Sequence, residues 1–207
     1  MERLTRRQFV RYACAAAMTA LFLLSPRQNA LSSTVIKGSD TTPTLQHRGR
    51  KPYLSIRTQT TINALGSAIG PLLGEVFGWM KTHHIRQAGA PFVRYDVVDM
   101  AHSLEVEVGI PTDAAARGAG RIHSGAFPAG KYAVMVHTGP YSELAKANAD
   151  LQAWAKEHGL QWKSHPSPAG DVWEGRVEFY VTDPQVQPDP HQWKTEIAYL
   201  VADPLPK

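Results

Sequence analysis

Four glutamates stand in runs where apolar residues recur at every second position, and each is a candidate for chemistry. Glu105 and Glu107 interrupt residues 103–110, Glu178 lies between Val177 and Phe179, and Glu196 lies between Thr195 and Ile197. A carboxylate walled by aromatic rings suits a lipophilic cation. Each ring face attracts positive charge by ~0.5–2 kcal/mol, and a buried carboxylate needs a counter-charge. A carboxylate with no partner there is also suited to proton transfer. Glu178 is singled out because its strand is the most apolar of the chain. Tyr180 lies two residues beyond it on the same face. Tyr95, Glu196 and Trp173 complete the candidate set, with Trp173 at the mouth of the site.

The elements that must position these groups form two halves with one order. Residues 53–62 read as a strand rich in β-branched side chains. A helix follows, with Leu65, Ile69, Leu72, Leu73, Val76, Phe77 and Met80 on one face. Pro71 makes its start ambiguous, because proline fits the first turn better than the interior. Strands at 92–99 and 103–110 close the first half. In the second half a strand at 131–137 precedes a helix at 141–158, which Gly159 stops, and strands at 173–181 and 193–201 follow. The glycine-rich stretch 112–126 links the halves.

Parity assigns faces. Leu104, Val106, Val108 and Ile110 oppose Glu105 and Glu107. Val177, Phe179 and Val181 oppose Glu178 and Tyr180. Thr195, Ile197, Tyr199 and Val201 oppose Glu196. With one helix packed on the apolar face of each half, the opposite faces present glutamates and tyrosines. Where those faces meet, an aromatic, acidic cleft is expected. The fold class is therefore α+β, two pseudo-symmetric β-α-β-β modules with a ligand groove between them.

The segments His137-Thr138-Gly139-Pro140-Tyr141-Ser142-Glu143-Leu144, Trp154 with His158-Gly159-Leu160, Glu178 to Pro184, and Trp193 to Ile197 carry a resemblance. They resemble the GyrI-like small-molecule-binding family, which includes effector-binding domains of AraC-type and multidrug-responsive regulators. The resemblance covers roughly residues 53–203, strongly in the second half and in outline in the first. It implies a ligand pocket between two modules, with Glu178 as the acidic group and Tyr180 beside it. It also implies a DNA-binding module ahead of the domain in regulators. Here a different kind of segment stands in that place, so neither transcriptional control nor gyrase inhibition is expected.

That segment, residues 1–32, reads as a twin-arginine signal. Arg6-Arg7 runs into 13 apolar-biased residues at 12–24, short of the ~20 a membrane-spanning helix needs, and cleavage is expected near residues 30–32. Polar residues 33–51 read as a flexible tether before a domain at 52–203, with halves at about 52–111 and 127–203. Residues 1–32 carry five of the 22 basic and one of the 18 acidic side chains, so the remainder balances at formal zero. The sequence pI of about 9.2 thus belongs largely to the signal and gives no support to nucleic-acid binding. Cys14, the single cysteine, lies in the signal. Cysteine catalysis, disulfides and cysteine metal sites are thereby excluded from the exported chain.

The expected partner is a lipophilic, cationic small molecule captured or sensed in the periplasm, with no cofactor, no nucleic acid and no membrane span after cleavage. Two other readings follow from the resemblance. Some relatives resemble hydrolases of strained electrophilic natural products, in which Glu178 would orient water and Tyr180 donate a proton. The related SOUL proteins bind haem, for which His137 is the candidate ligand. His83-His84 with His102 lacks helical zinc-site spacing, so no metal site is assigned.

Overall fold

The computed structural model describes residues 42–203. One antiparallel sheet holds nine strands: β1 (Thr44–Arg48), β2 (Lys51–Thr60), β3 (Phe92–Asp99), β4 (Ser103–Pro111), β5 (His123–Phe127), β6 (Gly130–Thr138), β7 (Ser164–Ser167), β8 (Gly170–Tyr180) and β9 (Lys194–Leu200). Two helices, α1 (Ile62–Thr82) and α2 (Leu144–Glu157), follow β2 and β6. The sheet order is β1-β6-β9-β8-β3-β4-β2-β5, with β7 pairing β8. Its symmetry is visible in that order. The module β6-α2-β8-β9 repeats β2-α1-β3-β4, and the join is the antiparallel pair β3–β8, which runs from Phe92↔Phe179 to Val98↔Asp171.

Each helix packs where its apolar face predicts. Leu65, Leu72, Leu73, Val76, Phe77 and Met80 of α1 are buried in one cluster with Leu54, Ile56, Leu104, Val106, Val108 and Ile110. Thr61 caps α1 by accepting from the Ala64 amide at 3.3 Å. The helix continues through Pro71 rather than beginning there. Pro71 lies on the exposed side, where water can satisfy the carbonyl that loses its amide partner. Leu144, Ala147 and Leu151 of α2 pack with Ala133 and Met135 of β6. Gly159, at φ 64°, ends that helix in the left-handed region. No helix among the described residues is long and apolar enough to cross a membrane.

Three strands escape the side-chain pattern. The expected signal, residues 1–32, and residues 33–41 lie outside the described residues, but part of the expected tether is β1, paired from Thr44↔Val134 to Arg48↔Gly130. Its side chains are mostly exposed, so main-chain bonds to the edge of β6 order it instead of apolar burial. Likewise β5, within the expected linker, pairs β2 from Lys51↔Phe127 to Ser55↔His123. Short β7 closes a hairpin on β8.

The face away from the helices is packed mainly with aromatic rings. Tyr53, Phe92, Phe127 and Val177 form a second core with Phe179 against it. Beside it Glu107, 1% exposed, accepts from Ser55 Oγ at 2.9 Å and Arg57 Nε at 2.6 Å, with Arg94 Nη1 at 3.8 Å. Burial pushes the Glu107 pKa up. Hydrogen bonds from Tyr53, Arg57 and Ser55 and the charge of Arg94 outweigh it and hold the group below the ordinary range.

Asp96 is the extra residue of a β3 bulge and pairs with Arg94 at 3.1 Å. Burial raises its pKa from 3.8 to about 6, against the lowering effect of Arg94. The folded protein therefore keeps this proton up to about pH 6, whereas the unfolded chain loses it near 3.8. In that window the folded state binds more protons, so rising pH erodes stability. Asp96→Asn is expected to match wild type near pH 4 and to exceed it by about 1 kcal/mol at pH 8, read from urea unfolding at both pH values.

Candidate binding site

Because α1 covers β2 and β4 while α2 covers β6, the central strands β3 and β8 stay open on the helix side. Between the helices lies a cavity of about 1130 Å³. Leu65, Ile69 and Leu73 of α1 form one wall, with Gly66 and Gly70 on the same lining. A side-chain carbon built at Gly66 meets nothing within 4 Å, so its absence widens the groove. Tyr141 and Asn148 belong to the opposite wall, and Tyr95, Trp173, Arg176, Glu178 and Tyr180 form the floor.

Glu178 is 4% exposed. Its Oε2 accepts from the Tyr95 hydroxyl at 2.9 Å and the Tyr180 hydroxyl at 3.4 Å. Its Oε1 accepts from Asn148 Nδ2 at 2.7 Å. Asn148 is fixed in turn: Nδ2 also donates to the Leu144 carbonyl at 2.8 Å, and Oδ1 accepts from the Tyr199 hydroxyl at 2.6 Å. Burial, reinforced by the charge of Glu178, holds the Tyr95 and Tyr180 pKa values well above the ordinary phenol value. Both hydroxyls therefore remain protonated donors at neutral pH. Tyr199 is likewise raised, by burial above all. Glu178 is thus a carboxylate satisfied by neutral donors, with tyrosine rings around it.

Glu178, Tyr180, Tyr95 and Trp173 are brought together on this floor, and Glu196 is not. Glu196 lies on the face away from the helices and pairs with Arg48 at 2.8 Å. Glu107 shares that face, and Glu105 is exposed. The expectation that glutamates and tyrosines converge on the face away from the helices is corrected. The groove is on the helix side, where Glu178, Tyr180, Tyr95 and Tyr199 stand with Val106 and Ile197. Parity sorts residues into two faces, but it does not say that two helices leave a gap between them.

Asn148, Arg176 and Tyr199 were not among the candidates, although two of them left a signal. Asn148 is four residues after Leu144 and three before Leu151, hence a polar group on a buried helix face. Arg176 precedes Glu178 by two and shares its face. His137, the last residue but one of β6, has Nε2 at 3.9 Å from Glu143 and lies outside the cavity lining. His83 stacks on Trp79, and His102 pairs with Asp99 at 2.7 Å. Among the described residues no three His, Cys, Asp or Glu side chains cluster to hold a metal.

Two β-α-β-β modules facing a groove with a buried glutamate define a small-molecule-binding domain. The chain belongs to the GyrI-like small molecule binding domain family, whose model matches residues 41–201. Among solved structures, the EcmrR C-terminal domain superposes with a TM-score of 0.65 at 20% identity, covering 79% of this chain and 99% of that one. EcmrR in its DNA complex gives 0.63 at 18% identity, and there the match covers 80% of this chain but only 59% of EcmrR. SAV2435 bound to tetraphenylphosphonium gives 0.50 at 11%, covering 78% and 94%. A hydrolase from Listeria innocua gives 0.53 at 15%, covering 80% and 94%. At these identities the likeness is one of fold. No curated protein matches the sequence.

Proposed function

We propose that this protein is exported and uses its groove to capture or sense a lipophilic cation. The observation that carries this reading is Glu178, buried on the floor of a cavity of about 1130 Å³. No basic side chain forms an ion pair with it among the described residues. Its three partners are neutral donors, so its negative charge is solvated and not cancelled. A cation entering beside Tyr141 and Tyr180 gains that charge and their ring surfaces together. Tetraphenylphosphonium, the ligand of the similarly folded SAV2435, has this chemistry. The Arg6-Arg7 segment supports delivery outside the cytoplasm.

Tryptophan fluorescence of the protein lacking residues 1–32, titrated with tetraphenylphosphonium and a neutral triaryl analogue, tests the reading. Trp173 on the cavity floor is the reporter. Saturable quenching with the cation at least about tenfold tighter than the analogue is expected, about 1.4 kcal/mol of preference. A folded sample that responds to neither compound overturns the proposal.

A second reading, hydrolysis of a strained electrophile, draws on the Tyr180 hydroxyl standing 3.4 Å from Glu178. Both oxygens of Glu178 already accept hydrogen bonds from protein donors, so a water to be activated there must compete with those donors. Turnover abolished in Glu178→Gln with binding retained would favour catalysis over capture.

A further inference from the structure

Arg176 introduces a positive charge into the same cavity. It stands two residues before Glu178 on β8, so both side chains project from one face of the strand, roughly 6–7 Å apart along it. The guanidinium carbon sits 5.1 Å from the Tyr95 ring centroid and 5.2 Å from those of Trp173 and Tyr199. Arg48, Arg57, Arg86, Arg94 and Arg121 each pair with a carboxylate, and Arg176 forms no such pair among the described residues. Its Nε is buried with no hydrogen-bond partner. The other acids on the lining are Asp99, which is engaged by His102 at 2.7 Å, and Asp171, which is exposed.

The three rings hold the guanidinium in place by cation–π attraction. One of them, Tyr199, is tied through Asn148 to Glu178. The two poles are therefore parts of one rigid assembly. A ligand carrying only positive charge meets Glu178 at one end of the floor and a fixed like charge at the other. A ligand that also carries an oxygen acceptor can satisfy Arg176 with a charge-assisted hydrogen bond.

We infer that the groove selects bipolar ligands, an aromatic body with a delocalised cation toward Glu178 and a carboxylate or similar oxygen acceptor toward Arg176. Arg176 is then the residue that determines specificity. This inference rests on the small-molecule reading above and narrows its ligand class.

The test uses a matched pair of dyes, rhodamine B, a zwitterion at neutral pH, and its ethyl ester, which is a cation only. Binding to the protein lacking residues 1–32 is read by fluorescence anisotropy. Wild type is expected to hold rhodamine B at least about tenfold tighter than the ester. Arg176→Gln should bring the two within about twofold, and Arg176→Lys should restore part of the preference. Glu178→Gln should weaken both dyes together. An ester that binds as well as or better than rhodamine B in wild type overturns the inference and leaves the groove reading standing. The same holds for a preference unchanged in Arg176→Gln. The wild-type comparison alone is decisive if the variants do not fold. A folded protein that binds neither dye and does not bind tetraphenylphosphonium overturns both.

Discussion

Glu178→Gln is expected to weaken tetraphenylphosphonium binding about 10–100-fold and to leave a neutral triaryl analogue within about threefold. This is the range for losing one charged interaction in a desolvated site. The substitution removes charge with little disturbance of shape. The new amide oxygen can accept from Asn148 Nδ2, whose orientation is fixed by the Leu144 carbonyl and the Tyr199 hydroxyl. The new amide nitrogen then faces Tyr95, whose hydroxyl can turn to accept. Folding should survive, which thermal unfolding of the variant checks. Glu178→Ala is the poorer test, because it strands Tyr95, Tyr180 and Asn148 in a buried void. If Glu178→Gln binds cation and neutral analogue as wild type does, the carboxylate is not the recognition group.

Glu107→Ala should do the reverse, destabilising the fold by about 2–4 kcal/mol while leaving ligand affinity of the folded fraction unchanged. The cost comes from the partners left behind. Arg57, Arg94 and Ser55 converge on this carboxylate beneath the sheet; its removal strands the buried Ser55 hydroxyl and leaves the largely desolvated Arg94 with Asp96 as its remaining counter-charge. For a domain of this size the change corresponds to a fall in Tm of roughly 10 °C. Glu107 contributes through a depressed pKa, so its stabilisation is present above the ordinary carboxylate range and lost as pH falls through it. The gap between wild type and variant should therefore narrow on acidification. A variant as stable as wild type at pH 7 would mean that the cluster is solvated. The two glutamates separate two roles on opposite faces of one sheet, recognition at Glu178 and cohesion at Glu107.

Both helices and the six strands of the two modules were legible because their side chains alternate or recur with clear periods. The run Leu104, Val106, Val108, Ile110 is buried as its spacing requires, and so is the Leu65–Met80 face of α1. The strands β1, β5 and β7 were not legible. They are held by main-chain bonds to edges that exist only after the modules fold, and a strand of exposed polar residues writes no period. The bulge at Asp96, which sets Arg94 and Asp96 beside Glu107, is equally silent in the sequence.

Strand alternation in the sequence by itself determined that Glu178 and Tyr180 share a face and that Glu196 is opposed to Tyr199. Helix spacing put Leu144 and Leu151 on one buried face. Only the tertiary structure decided which face became the groove. Two helices on a curved sheet cover its flanks and leave β3 and β8 open between them, while aromatic rings from β2, β3, β5 and β8 close the other side. It also gave Glu178 and Arg176 their partners. Those contacts join residues from Tyr95 to Tyr199, far apart along the chain, through packing that no local period encodes.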